Sequence, residues 1–271
     1  MTPFQAAVLA LVQALSEFLP ISSSGHLILL PRLLGWHDQG LIFDEALNTG
    51  TVLAVCLYFR SELAAMLRDG WRSLAERRLV GSARLAWHLC AGTVPVAVAG
   101  LLLDDWVGSA ARNPALVATN LIVFGLVLAL ADRMGGRSRD LADLGLRDAF
   151  LIGCAQALAL VPGTSRSGIT MTMALFLGFE RGAAARFSFL LSVPVGLLVA
   201  VHDALEIAEG GANGTPASAL VIAVLGTALA GYLVIGGLLA WVRRQSYLVF
   251  VAYRLLLGLT ILGLLAAGVG L

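Results

Sequence analysis

The strongest constraint on this chain is that its apolar residues come in long, unbroken runs. Segments 42–59, 87–103, 114–132, 183–202, 217–241 and 250–269 are almost wholly apolar. Each comes near the roughly 20 residues that an α-helix needs to cross the hydrocarbon of a bilayer. The runs are continuous, without the alternation of a membrane β-barrel, so they predict helices. Charged residues make up 13% of the chain and hydrophobic ones 59%, whereas a soluble domain carries about 25% charged residues. The chain reads as an all-α integral membrane protein.

Inside this apolar background a short polar string occurs twice. The first copy runs Gln13-Ala-Leu-Ser-Glu17-Phe-Leu-Pro20-Ile-Ser22-Ser23-Ser24-Gly25-His26, and the second Gln156-Ala-Leu-Ala-Leu-Val-Pro162-Gly163-Thr164-Ser165-Arg166-Ser167-Gly168. Superposed without gaps, Gln-Ala-Leu, the two flanking serines and the glycine coincide. Each string lies between apolar pieces too short to cross: 4–19 and 24–34 in the first copy, 148–161 and 166–180 in the second. Pro20 and Pro162-Gly163 break the helix between the pieces. The reading is two re-entrant hairpins, whose irregular backbone is tolerable at depth only where protein or water covers it.

The arginines give an independent layout. Arg60, Arg68, Arg72, Arg77, Arg78 and Arg84 lie in the 60–86 connection, and Arg133, Arg137, Arg139 and Arg147 in the 133–147 connection. Arg181 and Arg186 follow the second hairpin, and Arg243, Arg244 and Arg254 surround the fifth connection. The positive-inside rule assigns all of these to the cytoplasm, and Asp104-Asp105 and 203–216 to the outside. One walk fits: both termini outside, one hairpin entered from each side, and three spans after each. The expectation is a single membrane domain, 1–271, made of inverted repeats at about 1–132 and 148–271. No basic region precedes Arg32, so no cleaved signal peptide is expected. Trp36, Trp71, Trp106 and Trp241 fall near predicted interfaces, as aromatic belts do.

Each break is followed by a Ser/Gly-rich helix start. Ser is a preferred N-cap, and the first turn of a helix leaves amides unpaired at the positive end of its dipole. Ser22, Ser23, Ser24 and Gly25, with Gly163, Thr164, Ser165, Ser167 and Gly168, therefore predict two anion-binding ends. Where the copies differ, they differ in reactive groups: Glu17, Ser23 and His26 oppose Leu160, Arg166 and Ile169. Arg166 suits a phosphate clamp. His26 suits general acid–base work. Gln13 and Glu17, one turn apart, share a helix face. Asp44, Glu45 and Asn48 could either reach this site or sit at the outer interface. Cys56, Cys90 and Cys154 show neither disulfide nor metal spacing. A net charge of +1 leaves no nucleic-acid footprint. Nucleotide-hydrolase, zinc-protease and esterase motifs are absent from the sequence.

At these residues the chain resembles the undecaprenyl-diphosphate phosphatases of the bacitracin-resistance family. The carrying motifs are Gln13-x-x-x-Glu17 with Ser22-Ser23-Ser24-Gly25-His26, and Pro162-Gly163-x-Ser165-Arg166-Ser167-x-x-Thr170. The resemblance implies removal of the terminal phosphate from undecaprenyl diphosphate in the bacterial plasma (inner) membrane, which recycles the cell-wall lipid carrier and confers bacitracin resistance. It also implies six spans with two re-entrant hairpins, and a divalent cation, Mg²⁺ or Ca²⁺, with Glu17 as a ligand. Many relatives carry Glu where this chain has Gln13, so two metal-binding carboxylates are not assumed. The expected catalytic groups are Glu17, Ser23, His26 and Arg166. Gln13, Ser22, Ser24, Gly25, Gly163, Thr164, Ser165, Ser167, Gly168 and Thr170 are the expected substrate-binding ones. Ser23 is the candidate nucleophile with His26 as its base, beside direct attack by water with Glu17 as base. The expected partners are a polyprenyl diphosphate lipid and the bilayer, with a homodimer left open. The competing class is a transporter or flippase of polyprenyl phosphates, since midplane anion sites at inverted repeats are common in secondary transporters.

Overall fold

The computed structural model describes the backbone of residues 1–110, 113–210 and 215–268, and their side chains except at 41, 104–110 and 202–210. The side chains of the acidic groups expected to face outward at Asp104, Asp105 and within 203–216, and that of Trp106 expected at an interface, thus lie outside the described residues. Among the described residues the chain is all-helical. Its helices are α1 (Pro3–Phe18), α2 (Ser23–Leu33), α3 (Leu41–Tyr58), α4 (Arg60–Glu76), α5 (Ala83–Ala110), α6 (Pro114–Met134), α7 (Leu146–Ala157), α8 (Arg166–Phe176), α9 (Arg181–Gly210), α10 (Ala217–Val242) and α11 (Leu248–Ala266).

Five helices, α5, α6, α9, α10 and α11, carry stretches long and apolar enough to cross a membrane. A sixth is counted when α3 and α4, bent by 82° at their junction, are taken as one span. Sequence 60–86 reads only as a charged connection, but most of it folds as α4. That helix turns Met66, Asp69 and Ser73 inward and packs on α5.

The two helix breaks have one cause. Leu19 and Val161 each precede a proline, whose ring disfavours the helical region for the residue before it. Both are extended, at ψ 142° and 119°. The pieces that result are short. The 16 residues of α1 and the 11 of α2 reach about 24 Å and 17 Å at 1.5 Å per residue, below the roughly 30 Å of hydrocarbon. The chain then restarts through a strained residue. Ser22 and Ser165, which coincide in the two strings, sit at φ 74° and 73°, a region that costs a non-glycine residue about 1–3 kcal/mol.

Packing interlocks the halves. α1 and α3 lie on α10, α7 on α5, α6 on α11 and α8, and α9 between α3 and α8. The crossing of α7 with α5 depends on Gly153, where a Cβ would collide with the backbone of Gly92. The breaks themselves touch. Gly163 N–H donates to Ser24 Oγ at 3.4 Å, and Ser167 Oγ donates to the Leu19 carbonyl at 3.2 Å.

Candidate active site

Glu17 stands near the C-terminal end of α1 and Ser23 begins α2, so the break folds the serine back over the carboxylate. Ser23 Oγ donates to Glu17 Oε2 at 2.5 Å. The other oxygen, Oε1, accepts from Arg166 Nη2 at 2.8 Å and Nε at 3.2 Å. Arg166 is the first residue of α8, so this carboxylate joins the two hairpins. One anion therefore aligns a hydroxyl and a guanidinium.

The histidine takes different partners from those expected. His26 Nδ1 lies 2.7 Å from the Ser22 carbonyl, so it carries the proton and donates. Nε2 is hydrogen-bonded to the Tyr253 hydroxyl at 2.6 Å, accepting from it when the ring is neutral, with the two rings stacked 5.6 Å apart. The Ser23 hydroxyl rests on Glu17, not on His26.

The two helix starts also differ. At α8, Ser165 Oγ accepts the Gly168 amide at 3.2 Å. At α2 no side chain caps the first turn, so its amides and the dipole end are available to a phosphate oxygen.

The family described as bacitracin resistance protein BacA matches residues 6–260. An undecaprenyl-diphosphatase of Magnetococcus marinus is 50% identical over 262 residues, covering 95% of this chain and 97% of that protein. Undecaprenyl-diphosphatase 2 of Stutzerimonas stutzeri is 48% identical over 261 residues, covering 95% and 96%. The chain belongs to the BacA family.

In this BacA chain the predicted residues divide by exposure. Glu17, Ser23, Ser24, His26 and Arg166 are partly accessible, and they are the groups a lipid head could touch. Gln13, Ser22, Gly25, Gly163, Thr164, Ser165, Ser167, Gly168 and Thr170 are buried. Ser22 pairs with Ser24 at 3.2 Å, and Ser165 with Ser167 at 3.3 Å. Thr170 pairs with Ser188 at 2.7 Å, and Ser188 in turn gives its carbonyl to Arg166. Gln13 Nε2 donates to Asn48 Oδ1 at 3.2 Å, so of the three polar residues opening α3 at least Asn48 reaches toward the site.

Sequence reasoning missed two site residues, both on α11. Tyr253, which holds His26, gives no signal in an apolar run. Arg254 does give one, a charge inside a predicted span, but the positive-inside rule assigns it to the cytoplasm with its neighbours. That expectation is overturned: Arg254 is fully buried and hydrogen-bonds to backbone at both breaks.

Proposed function

We infer that this protein hydrolyses undecaprenyl diphosphate to undecaprenyl phosphate and inorganic phosphate, as a multi-pass protein of the bacterial inner membrane. The observation that carries the chemistry is the Glu17 carboxylate held between Ser23 and Arg166, at the uncapped start of α2. The relatives named undecaprenyl-diphosphatase carry the substrate. No observation favours the transporter reading, because the relatives bear a hydrolase's name.

Ser23 Oγ is the nucleophile. Its proton passes to Glu17 as the oxygen bonds to the terminal phosphorus, and the bridging P–O bond breaks to release undecaprenyl phosphate. Water then attacks the phosphoserine while His26 Nε2, exchanging the Tyr253 hydroxyl for that water, takes its proton. As the P–Oγ bond breaks, Glu17 returns its proton to Ser23 Oγ, and His26 passes its own to the departing phosphate. Arg166 and the first-turn amides of α2 stabilise charge on the transferred oxygens, the main source of catalysis in phosphoryl transfer.

A divalent cation fits the donor set. Among the described residues no three of His, Cys, Asp and Glu gather, so a cage of charged ligands is not available. The oxygens are of the hard type that Mg²⁺ or Ca²⁺ takes, and Mg²⁺ commonly binds through one or two carboxylates plus substrate phosphate. Glu17 would hold the ion, with Gln13 Oε1, a buried acceptor with no hydrogen-bond donor. It would neutralise phosphate charge.

The chain forms one membrane domain of six spans and two re-entrant hairpins, related as inverted repeats. Four features support this reading: matching backbone at Ser22 and Ser165, matching serine pairs, reciprocal bonds between the breaks, and the parallel packing of α1 on α10 and α7 on α5. Assembly as a homodimer is compatible with the six-span layout, and no feature above depends on it.

The deciding experiment is phosphate release from a polyprenyl diphosphate by purified protein with Mg²⁺ or Ca²⁺, and again with chelator. Release that chelator abolishes is expected. Absence of release with metal supplied sinks the hydrolase, and release unaffected by chelator removes the cation.

A further inference from the structure

Arg254 is the most unusual charge in the molecule. Its side chain is fully buried among backbone oxygens. Nε donates to Leu121 O at 3.1 Å and Nη1 to Pro20 O at 3.3 Å. Nη2 donates to Asn120 O at 3.2 Å, and to Gly163 O and Thr164 O, both at 3.0 Å. Pro20 belongs to the first break, Gly163 and Thr164 to the second. The guanidinium sits where the two meet. It also lies against the first turn of α8, since a Cβ at Gly168 would stand 2.9 Å from Nη1.

Carbonyl dipoles solvate a guanidinium but carry no net charge. None of the ion pairs among the described residues involves Arg254, so no described carboxylate serves as its counter-ion. Burying an unpaired ion is costly, and proteins retain such charges mainly where function uses them. Arg166 differs, because Glu17 already balances it. Of the two guanidiniums at the breaks, only Arg254 leaves net positive potential there.

We propose that Arg254 supplies the uncompensated positive charge that draws a multiply charged diphosphate head to the breaks, with the bound head group serving as its counter-ion. This rests on the reading that the breaks hold that head group. Arg254 acts across the loops it fastens. Its five hydrogen bonds stay on carbonyls, so it is a positioning residue and does not touch the phosphates. In a water-poor site one unit of charge is only weakly screened, so it discriminates diphosphate from monophosphate and from an uncharged lipid.

The full-length protein in detergent tests this with three probes of one tail length: a non-cleavable farnesyl methylenediphosphonate, farnesyl monophosphonate and farnesol. In Arg254→Gln, affinity for the diphosphonate should fall at least tenfold, that for the monophosphonate less, and that for farnesol not at all. Arg254→Lys keeps the charge and should bind the diphosphonate within about threefold of wild type. A purely structural staple predicts a lower melting midpoint with unchanged affinity in the folded fraction. Wild-type affinity in folded Arg254→Gln overturns the proposal, as does a folded Arg254→Lys that loses as much as Arg254→Gln. If Arg254→Gln does not fold, Asn120→Asp is compared with Asn120→Leu. Both lose the Asn120 Nδ2 donor to the Pro162 carbonyl, and only Asp adds a compensating charge on the residue whose carbonyl Nη2 contacts, so the effect of Asp is read relative to Leu. Asn120→Asp should give the same charge-graded loss relative to Asn120→Leu, and equal diphosphonate binding by the two overturns the proposal. Arg166→Ala separates the premise from the inference. If it binds the diphosphonate normally, the head group is not at the breaks. If it is impaired while Arg254→Gln is not, only the role of Arg254 fails.

Discussion

Glu17 accepts from Ser23 with one oxygen and from Arg166 with the other, and the proposed mechanism makes the first of these the orienting contact of the nucleophile. Glu17→Gln keeps the shape and removes the charge. Turnover should fall more than about a hundredfold, since loss of one preorganised group in such a site costs roughly 3 kcal/mol. Without added metal, binding of a non-cleavable diphosphonate should hold or tighten, because Arg166 loses its competing counter-ion. With Mg²⁺ or Ca²⁺ supplied it should weaken, because Glu17 would hold that ion. Binding that metal leaves unchanged would remove Glu17 as a cation ligand. Ser23→Ala separates the chemical routes. Phosphate release at background level in single-turnover assays supports serine attack, whereas a loss of only about a hundredfold leaves Ser23 as a hydrogen-bond donor and water as nucleophile. Arg166→Lys keeps the charge but not the planar fork that grips Glu17 through Nε and Nη2. We expect folded protein with turnover reduced about a hundredfold or more; near-normal turnover in detergent would make Arg166 structural.

The element that most shapes the site is the broken hairpin, and its base is fastened by charge. Arg139 Nη2 donates to Asp148 Oδ2 at 2.5 Å and Nη1 to Leu177 O at 2.8 Å, while its guanidinium lies 4.2 Å over the Phe179 ring. This clamp ties the start of α7 to the end of α8. Burial pushes the Asp148 carboxyl up, but the Arg139 hydrogen bond, the Gly145 amide and the charges of Arg139 and Arg147 outweigh it, so the group titrates below the usual carboxylate range. A depressed folded pKa stabilises the protein fully above the unfolded value, about 4, and that stabilisation is lost as pH falls through the folded value. Asp148→Asn should therefore lower the melting midpoint at pH 7, and its difference from wild type should narrow below about pH 4. A difference independent of pH would show that shape and not charge matters at Asp148.

At the scale of the molecule, the layout makes a claim about sides. With both termini outside, Asp140 faces the cytoplasm and Ser218 the exterior. Single cysteines at these positions, in a background with Cys56, Cys90 and Cys154 replaced, should label from opposite faces of intact cells. Labelling of both from outside would sink the inverted arrangement. Arg254 no longer counts toward that layout, because it is buried, but the arginines of the 60–86 and 133–147 connections still do.

What the sequence determined by itself was local and periodic. Long apolar runs fix the solvent as lipid, because backbone polar groups in hydrocarbon must be satisfied within the helix. Proline fixes the conformation of Leu19 and Val161 through a clash with its immediate neighbour, so both breaks were readable to within a few residues. The clustering of Ser, Gly, Glu, His and Arg beside them marked the site. Only the tertiary structure decided which of these groups meet. Glu17 and Arg166 are 149 positions apart, and His26 and Tyr253 are 227 apart. No spacing rule reaches across such distances. A serine one turn from a histidine reads as a pair, yet the break turns Ser23 toward α1 while His26 turns toward α11. Arg254 makes the same point: its position near a loop suggested the cytoplasm. Its direction is set by packing of α11 on α6, where Arg254 packs beside Gly125, and that packing carries the guanidinium inward to the carbonyls of both breaks.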